Sequence, residues 1–128
     1  MNEDTMIING EEWVRKASIA TEEGANVMAP MKDGLRYCMV RTYSAGVFAG
    51  YVESMYGKHA VLRHARRIWY WDGAASLSEL ATYGTCKPEK CMFPCEVERV
   101  ELTEVIEVID ITAEAKKSID EVPVWSQR

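Results

Sequence analysis

The stretch Ala60-Val-Leu-Arg-His-Ala-Arg-Arg-Ile-Trp-Tyr-Trp-Asp-Gly-Ala-Ala-Ser-Leu-Ser-Glu-Leu-Ala-Thr-Tyr-Gly84 decides how the rest of the chain reads. Its first half is rich in β-branched and aromatic residues and is expected to be a strand. A period of two puts Val61, Arg63, Ala65, Arg67, Trp69 and Trp71 on one face, and Ala60, Leu62, His64, Arg66, Ile68 and Tyr70 on the other. One strand then carries guanidinium and indole groups side by side before Asp72-Gly73 turns the chain. The second half predicts a short helix. Ser76-Leu77-Ser78-Glu79 has the S-x-x-E capping pattern, Leu77, Leu80 and Ala81 are spaced to face a core, and Gly84 is a stop.

Upstream, Arg36 to Thr42 reads as a short strand and Ala45 to Glu53 as a second. Glycines in the second fall where a sheet bends or a neighbour approaches closely. Met55-Tyr56-Gly57-Lys58 supplies a turn, so 45–54 and 59–71 are expected to pair as an antiparallel hairpin. Downstream, Thr85 to Pro94 is a loop carrying cysteines and prolines. The density of β-branched residues in 96–112 favours two consecutive strands, or one bent near Thr103-Glu104, although a helix also fits the apolar spacing. Thr112 is the expected cap of a second short helix over Ala113 to Ile119, and Trp125 is expected to plug the core. Near the start, Asn9 and Glu12 form a capping pair ahead of Trp13, Val14 and Ala17, predicting a peripheral helix over about 10–22. The expected fold is α+β: a twisted antiparallel sheet or small open β-barrel with two short helices and that N-terminal helix. Residues 1–34 form an extension, and 35–128 one β-rich domain.

Charge is unevenly distributed. Arg36, Arg41, Lys58, Arg63, Arg66 and Arg67 stand against Glu53 alone in 36–71. Glu98, Glu101, Glu104, Glu107, Asp110, Glu114, Asp120 and Glu121 outnumber Arg99, Lys116 and Lys117 in 98–121. The halves can pair within a chain or between subunits, and with exposed sheet edges this predicts a homo-oligomer. A net charge of −5 argues against general nucleic-acid binding. No apolar run reaches the roughly 20 residues that cross a bilayer, and the acidic start lacks the pattern of a signal peptide, so a cytoplasmic protein with no membrane partner is expected.

Enzyme motifs are missing: there is no G-x-S-x-G, phosphate-binding glycine loop, dinucleotide fingerprint or H-E-x-x-H. The only histidines, His59 and His64, fall on opposite faces of a strand. Cys86, Cys91 and Cys95 are spaced C-x4-C-x3-C without a histidine, and free thiols are expected rather than zinc or disulfides. No catalytic residue, metal or cofactor is assigned. The remaining lead is the arginine–aromatic strand with the helix start beside it. Guanidinium forks suit phosphate oxygens, aromatic faces stack on bases by about 1–3 kcal/mol each, and a helix start offers N–H groups and hydroxyls. Arg63, Arg66, Arg67, Trp69, Trp71, Ser76 and Ser78 are therefore the candidate ligand-binding residues for a nucleotide-type small molecule. Glu79 opposes this by occupying the same helix start, and the acid-rich strand over 98–110 offers the arginines partners of their own.

Three blocks carry a resemblance: Tyr43-Ser-Ala-Gly-Val-Phe-Ala-Gly-Tyr51, Ala65-Arg-Arg-Ile-Trp-Tyr-Trp-Asp-Gly-Ala-Ala-Ser-Leu-Ser-Glu-Leu-Ala81 and Phe93-Pro-Cys-Glu-Val97. Over about 36–125 the chain resembles a family of small domains encoded by phages and prophages, with no established activity and no catalytic residues to transfer. That resemblance implies a viral or mobile-element origin. Such an origin favours a binder: a sponge that sequesters a cyclic-oligonucleotide or ADP-ribose-like immune signal without catalysis, or a protein-interaction module that inhibits a host protein or serves as a minor virion component.

Overall fold

Tight turns at glycines with positive φ set the first three strands into a meander. In the computed structural model, which describes residues 27–127, β1 spans Tyr37–Thr42, β2 Val47–Tyr56 and β3 His59–Arg67. Thr42 organises the first turn: its hydroxyl donates to the Gly46 carbonyl at 2.7 Å and accepts from the Ala45 N–H at 2.9 Å, with Gly46 at φ +92°. Gly57, at φ +59°, makes the second. After β3 come α1 (Leu77–Tyr83), a single 3-10 turn at Pro88–Lys90, β4 (Glu96–Leu102), β5 (Val105–Asp110) and α2 (Ala113–Glu121). The strand reading of 96–112 holds, with the break at Thr103-Glu104.

All pairings are antiparallel, in the order β4-β3-β2-β1-β5. Consecutive strands β4 and β5 thus lie at opposite edges, joined by only two residues. Four flat strand spacings would separate the edges by about 19 Å. Three residues of chain span at most about 11 Å. The sheet must curl until its edges meet at that corner. Backbone bonds stitch the corner on both sides, Tyr43 N–H to the Glu104 carbonyl and Val105 N–H to the Lys58 carbonyl, each 2.9 Å. Register shifts in the β2–β3 ladder absorb the bend, and Gly50 sits at one, where an added Cβ would come within 3.0 Å of the Ala65 backbone. The result is an α+β fold with a twisted, unclosed sheet.

Alternation along β1 assigns the two sides. Cys38 and Val40 join Phe48, Ala60, Leu62, Ala65, Leu102 and Val105, a cluster with residues from every strand and no helix, which is the inside of the curl. Tyr37 and Met39 face outward onto the second core, where Leu80 and Ala81 of α1, Ala115 and Ile119 of α2, and Phe93 cover the sheet. Both helices start as their caps predict. The Ser76 hydroxyl accepts from the Glu79 N–H at 3.1 Å, and Thr112 from the Ala115 N–H at 3.0 Å. The N-terminal helix predicted over 10–22 lies outside the described residues. No helix among the described residues is long and apolar enough to cross a membrane.

Two expectations about β3 fail. The strand ends at Arg67 rather than Trp71 because its partner runs out: the last ladder bond joins the Ile68 N–H to the carbonyl of Val47, the first residue of β2. The period of two also breaks. Between Ala49 and Tyr51 of β2, which pair with Arg66 and Arg63, β3 holds one residue more than β2. His64, at φ +50°, takes up the excess in the left-handed region. Ala60 and Leu62 consequently share the inner side with Ala65 and Arg67, while Arg66 and Ile68 face the helices.

Candidate functional site

The bulge at His64 sends the three arginines to different places. Arg63 borders a hollow of about 130 Å³ with Tyr51, Glu53 and His64, and its guanidinium is 3.3 Å from Glu53 Oε1 and 3.4 Å from Glu98 Oε2. Arg66 is 8% exposed and spends its donors on main chain: Nε to Pro94 (2.9 Å), Nη1 to Ile119 (2.9 Å), and Nη2 to Phe93 (3.0 Å), Val122 (2.8 Å) and Pro123 (3.1 Å). It ties the end of α2 to the loop before β4, and burial lowers its pKa. Arg67 lies on the opposite side of the sheet. Its guanidinium rests 4.3 Å above the Phe48 ring and donates one hydrogen bond to the Ala45 carbonyl, at a groove of about 300 Å³ that Arg99 and Cys95 also line.

The aromatic and serine members of the candidate set have other settings. Trp71 packs against the helix-covered core and donates from Nε1 to the Ala74 carbonyl at 3.3 Å. Ser76 is engaged as the α1 cap, and the Glu79 carboxylate accepts from the Ala75 N–H at 3.2 Å, so that helix start already has its anion. Ser78 is exposed, and its carbonyl accepts from the Thr82 hydroxyl. The seven residues do not line one hollow. Arg63, Arg66 and Arg67 border three different ones.

Trp69 instead meets a residue expected in the core. It is 62% exposed and stacks on Trp125, with ring centroids 6.4 Å apart and planes 9° from parallel. Trp125 is 40% exposed, correcting its expected role as a plug. Main-chain bridges bring more apolar surface alongside: Tyr70 pairs with Met92, and Phe93 with Val124. Phe93 turns inward, while Tyr70, Met92 and Val124 are exposed. The C-terminal segment thus completes an outward-facing aromatic patch. Periodicity missed it because its members come from three segments with no ladder between them. The legible signal was the unclaimed Trp125 after Pro123.

Titratable groups gather where α2 crosses the outer face. His64 Nδ1 lies 3.3 Å from Glu96 Oε2, and the Lys116 ammonium sits 4.9 Å over the Tyr37 ring and 2.6 Å from Asp120 Oδ2. Burial pushes the Tyr37 hydroxyl well above the usual phenol range, reinforced by the Asp120 charge. Burial alone would lower Lys116, but the Asp120 hydrogen bond and charge outweigh it and hold the ammonium above its ordinary value. Inside the curl, desolvation and a hydrogen bond to Asp110 push the Cys38 thiol up to about 12. Cys91 is buried, and Cys86 and Cys95 are exposed free thiols. Among the described residues no cluster of histidine, cysteine and carboxylate groups has the arrangement to hold a metal ion.

Comparison with curated proteins and with solved structures returns no match. Residues 35–119, from just before β1 into α2, match a family, and the chain belongs to it: the Domain of unknown function (DUF6948) family.

Proposed function

We propose that this domain is a non-catalytic protein-interaction module whose docking surface is the aromatic patch. The Trp69–Trp125 stack carries this reading. Two indoles held parallel in water expose apolar area that a partner would bury, and tryptophan is the side chain most enriched at the energetic centres of interfaces. The bridges at Tyr70–Met92 and Phe93–Val124 fix the patch on ordered main chain, reducing the entropy cost of docking. In this reading the partner is a host or virion protein and the chain is a phage or prophage accessory protein acting in the host cytoplasm. The three sequence blocks that resemble small phage-encoded domains support that origin. Affinity capture with the wild type and with a Trp69→Ala/Trp125→Ala variant of matched circular dichroism tests it. A partner retained by the first and lost by the second is expected. An identical set of captured proteins would refute it.

Sequestration of a nucleotide-type immune signal is the second reading. The observation favouring it is Arg67, a half-buried guanidinium with no carboxylate partner among the described residues, at the edge of a groove. Homo-oligomerisation belongs to the same proposal, supported by the exposed edge strand β4, and light scattering of the purified chain measures it.

A further inference from the structure

We infer that the groove at Arg67 is a binding site for a small amphiphilic anion: one phosphate or carboxylate head on an apolar body about the size of a single ring. The inference goes beyond the sequestration reading: it concerns the same groove and would narrow that reading's ligand, but it stands on the lining alone.

The charge inventory singles out Arg67. Arg36 pairs with Asp110, Arg41 with Glu107, Arg63 with Glu53 and Glu98, and Arg99 with Glu101. Arg66 is buried against carbonyls. Among the described residues Arg67 alone is an arginine with neither a carboxylate nor a buried main-chain cage. Among those residues one of its five N–H donors finds an acceptor, on Ala45, and its plane is seated on Phe48. The fork is held in place with its other donors unspent among the described residues, as recognition of an oxyanion requires. Arg99 brings a second guanidinium to the same groove, and among the described residues no carboxylate lines it.

The remaining lining defines the rest of the ligand. Phe48, Val97 and Val100 make an apolar floor, continuous with the core inside the curl. A bare inorganic anion would leave that floor wet, so an apolar body beside the head is favoured. A space of about 300 Å³ stands at the bottom of the range for small-molecule pockets, which suits one ring and excludes engulfing a cyclic oligonucleotide.

Cys95 is a built-in reporter, because it lines the groove and is exposed while Cys38 and Cys91 are buried. In a Cys86→Ser background, the rate of iodoacetamide alkylation at Cys95 is followed by peptide mass spectrometry. The probes are phenyl phosphate, inorganic phosphate, a nucleoside monophosphate and a cyclic dinucleotide. Phenyl phosphate should slow alkylation saturably while inorganic phosphate does not. Arg67→Gln should abolish protection, and Arg99→Gln should weaken it by about tenfold, the effect of one lost charge-assisted contact. Should Arg67→Gln fail to fold, the Arg99→Gln titration decides alone. Equal protection by inorganic phosphate, or protection indifferent to both substitutions, overturns the inference. A cyclic dinucleotide that binds where phenyl phosphate does not overturns it and leaves the sequestration reading standing. Phenyl phosphate protection with no response to either nucleotide sustains the inference and removes that reading. No response to any probe removes both.

Discussion

Replacing Arg66 with methionine should cost this domain a large part of its stability. The side chain is buried, and its five hydrogen bonds end on carbonyls of Phe93, Pro94, Ile119, Val122 and Pro123. Ile119 is in the last turn of α2 and Val122 is its C-cap, so two of these acceptors belong to the helix end, where carbonyls lack intrahelical donors. Bonds from a charged donor contribute about 1.5–3 kcal/mol each when probed singly. They are not additive, and the desolvated guanidinium offsets part of the gain. Methionine restores the apolar volume over Phe93 but leaves buried carbonyls unpaired, so a net loss of about 3–5 kcal/mol follows. For a domain of this size that lowers Tm by on the order of 15–30 °C. Arg66→Lys should be intermediate, since an ammonium has three donors and no fork. Urea melts followed by circular dichroism, with α2 reported by amide exchange at Ile119 to Val122, give the measurement. A loss under about 1 kcal/mol in Arg66→Met, with α2 exchange unchanged, would refute the assignment of Arg66 as the tie between α2 and the sheet.

Other consequences follow from single contacts. Gly84 ends α1 at φ +81°, and an added Cβ would lie 2.3 Å from the Ser118 Cβ, so Gly84→Ala should cost about 2–4 kcal/mol in a thermal melt by prying α1 from α2. His64→Val should cost about 1–2 kcal/mol because a β-branched residue resists φ +50°, whereas His64→Asn should be nearly neutral; equal losses would place the effect in the Glu96 contact rather than the backbone. The Cys38 thiol is raised from 9.0 to about 12, so its contribution is complete below the unfolded value and is lost as pH rises through that window. Cys38→Ala should therefore flatten the fall in stability between pH 9 and 12, read by urea melts at each pH.

The local signals in this chain were legible where one residue type has one use. Ser76 and Thr112 cap helices, Gly57 turns a hairpin and Gly50 admits a close neighbour, each for a reason present in the residue itself. The β-branched density of 96–110 also decided correctly against a helix, because χ1 crowding acts within a turn. What stayed hidden depends on distant partners. Nothing within Arg66 announces that the end of α2 will arrive over it, and nothing within Trp125 announces Trp69.

The bulge at His64 is the point at which local and distant information meet. A sheet forced by a two-residue corner to curl needs places to bend, and an inserted residue in β3 at His64, offset by one in β2 at Glu53, supplies them. The same insertion inverts the alternation that follows, sending Arg66 under the helices and Arg67 to the open groove. Deleting His64 would remove the excess residue and pair Ala65 with Gly50, leaving Ala65 and Arg67 on the inner side and Arg66 under the helices. The deletion therefore keeps every face and takes away only the local bend. If the curl depends on that bend, the deletion should destabilise the fold although no side chain changes sides. A cooperative melt from that deletion within a few degrees of wild type would show that the bulge is incidental to the curl.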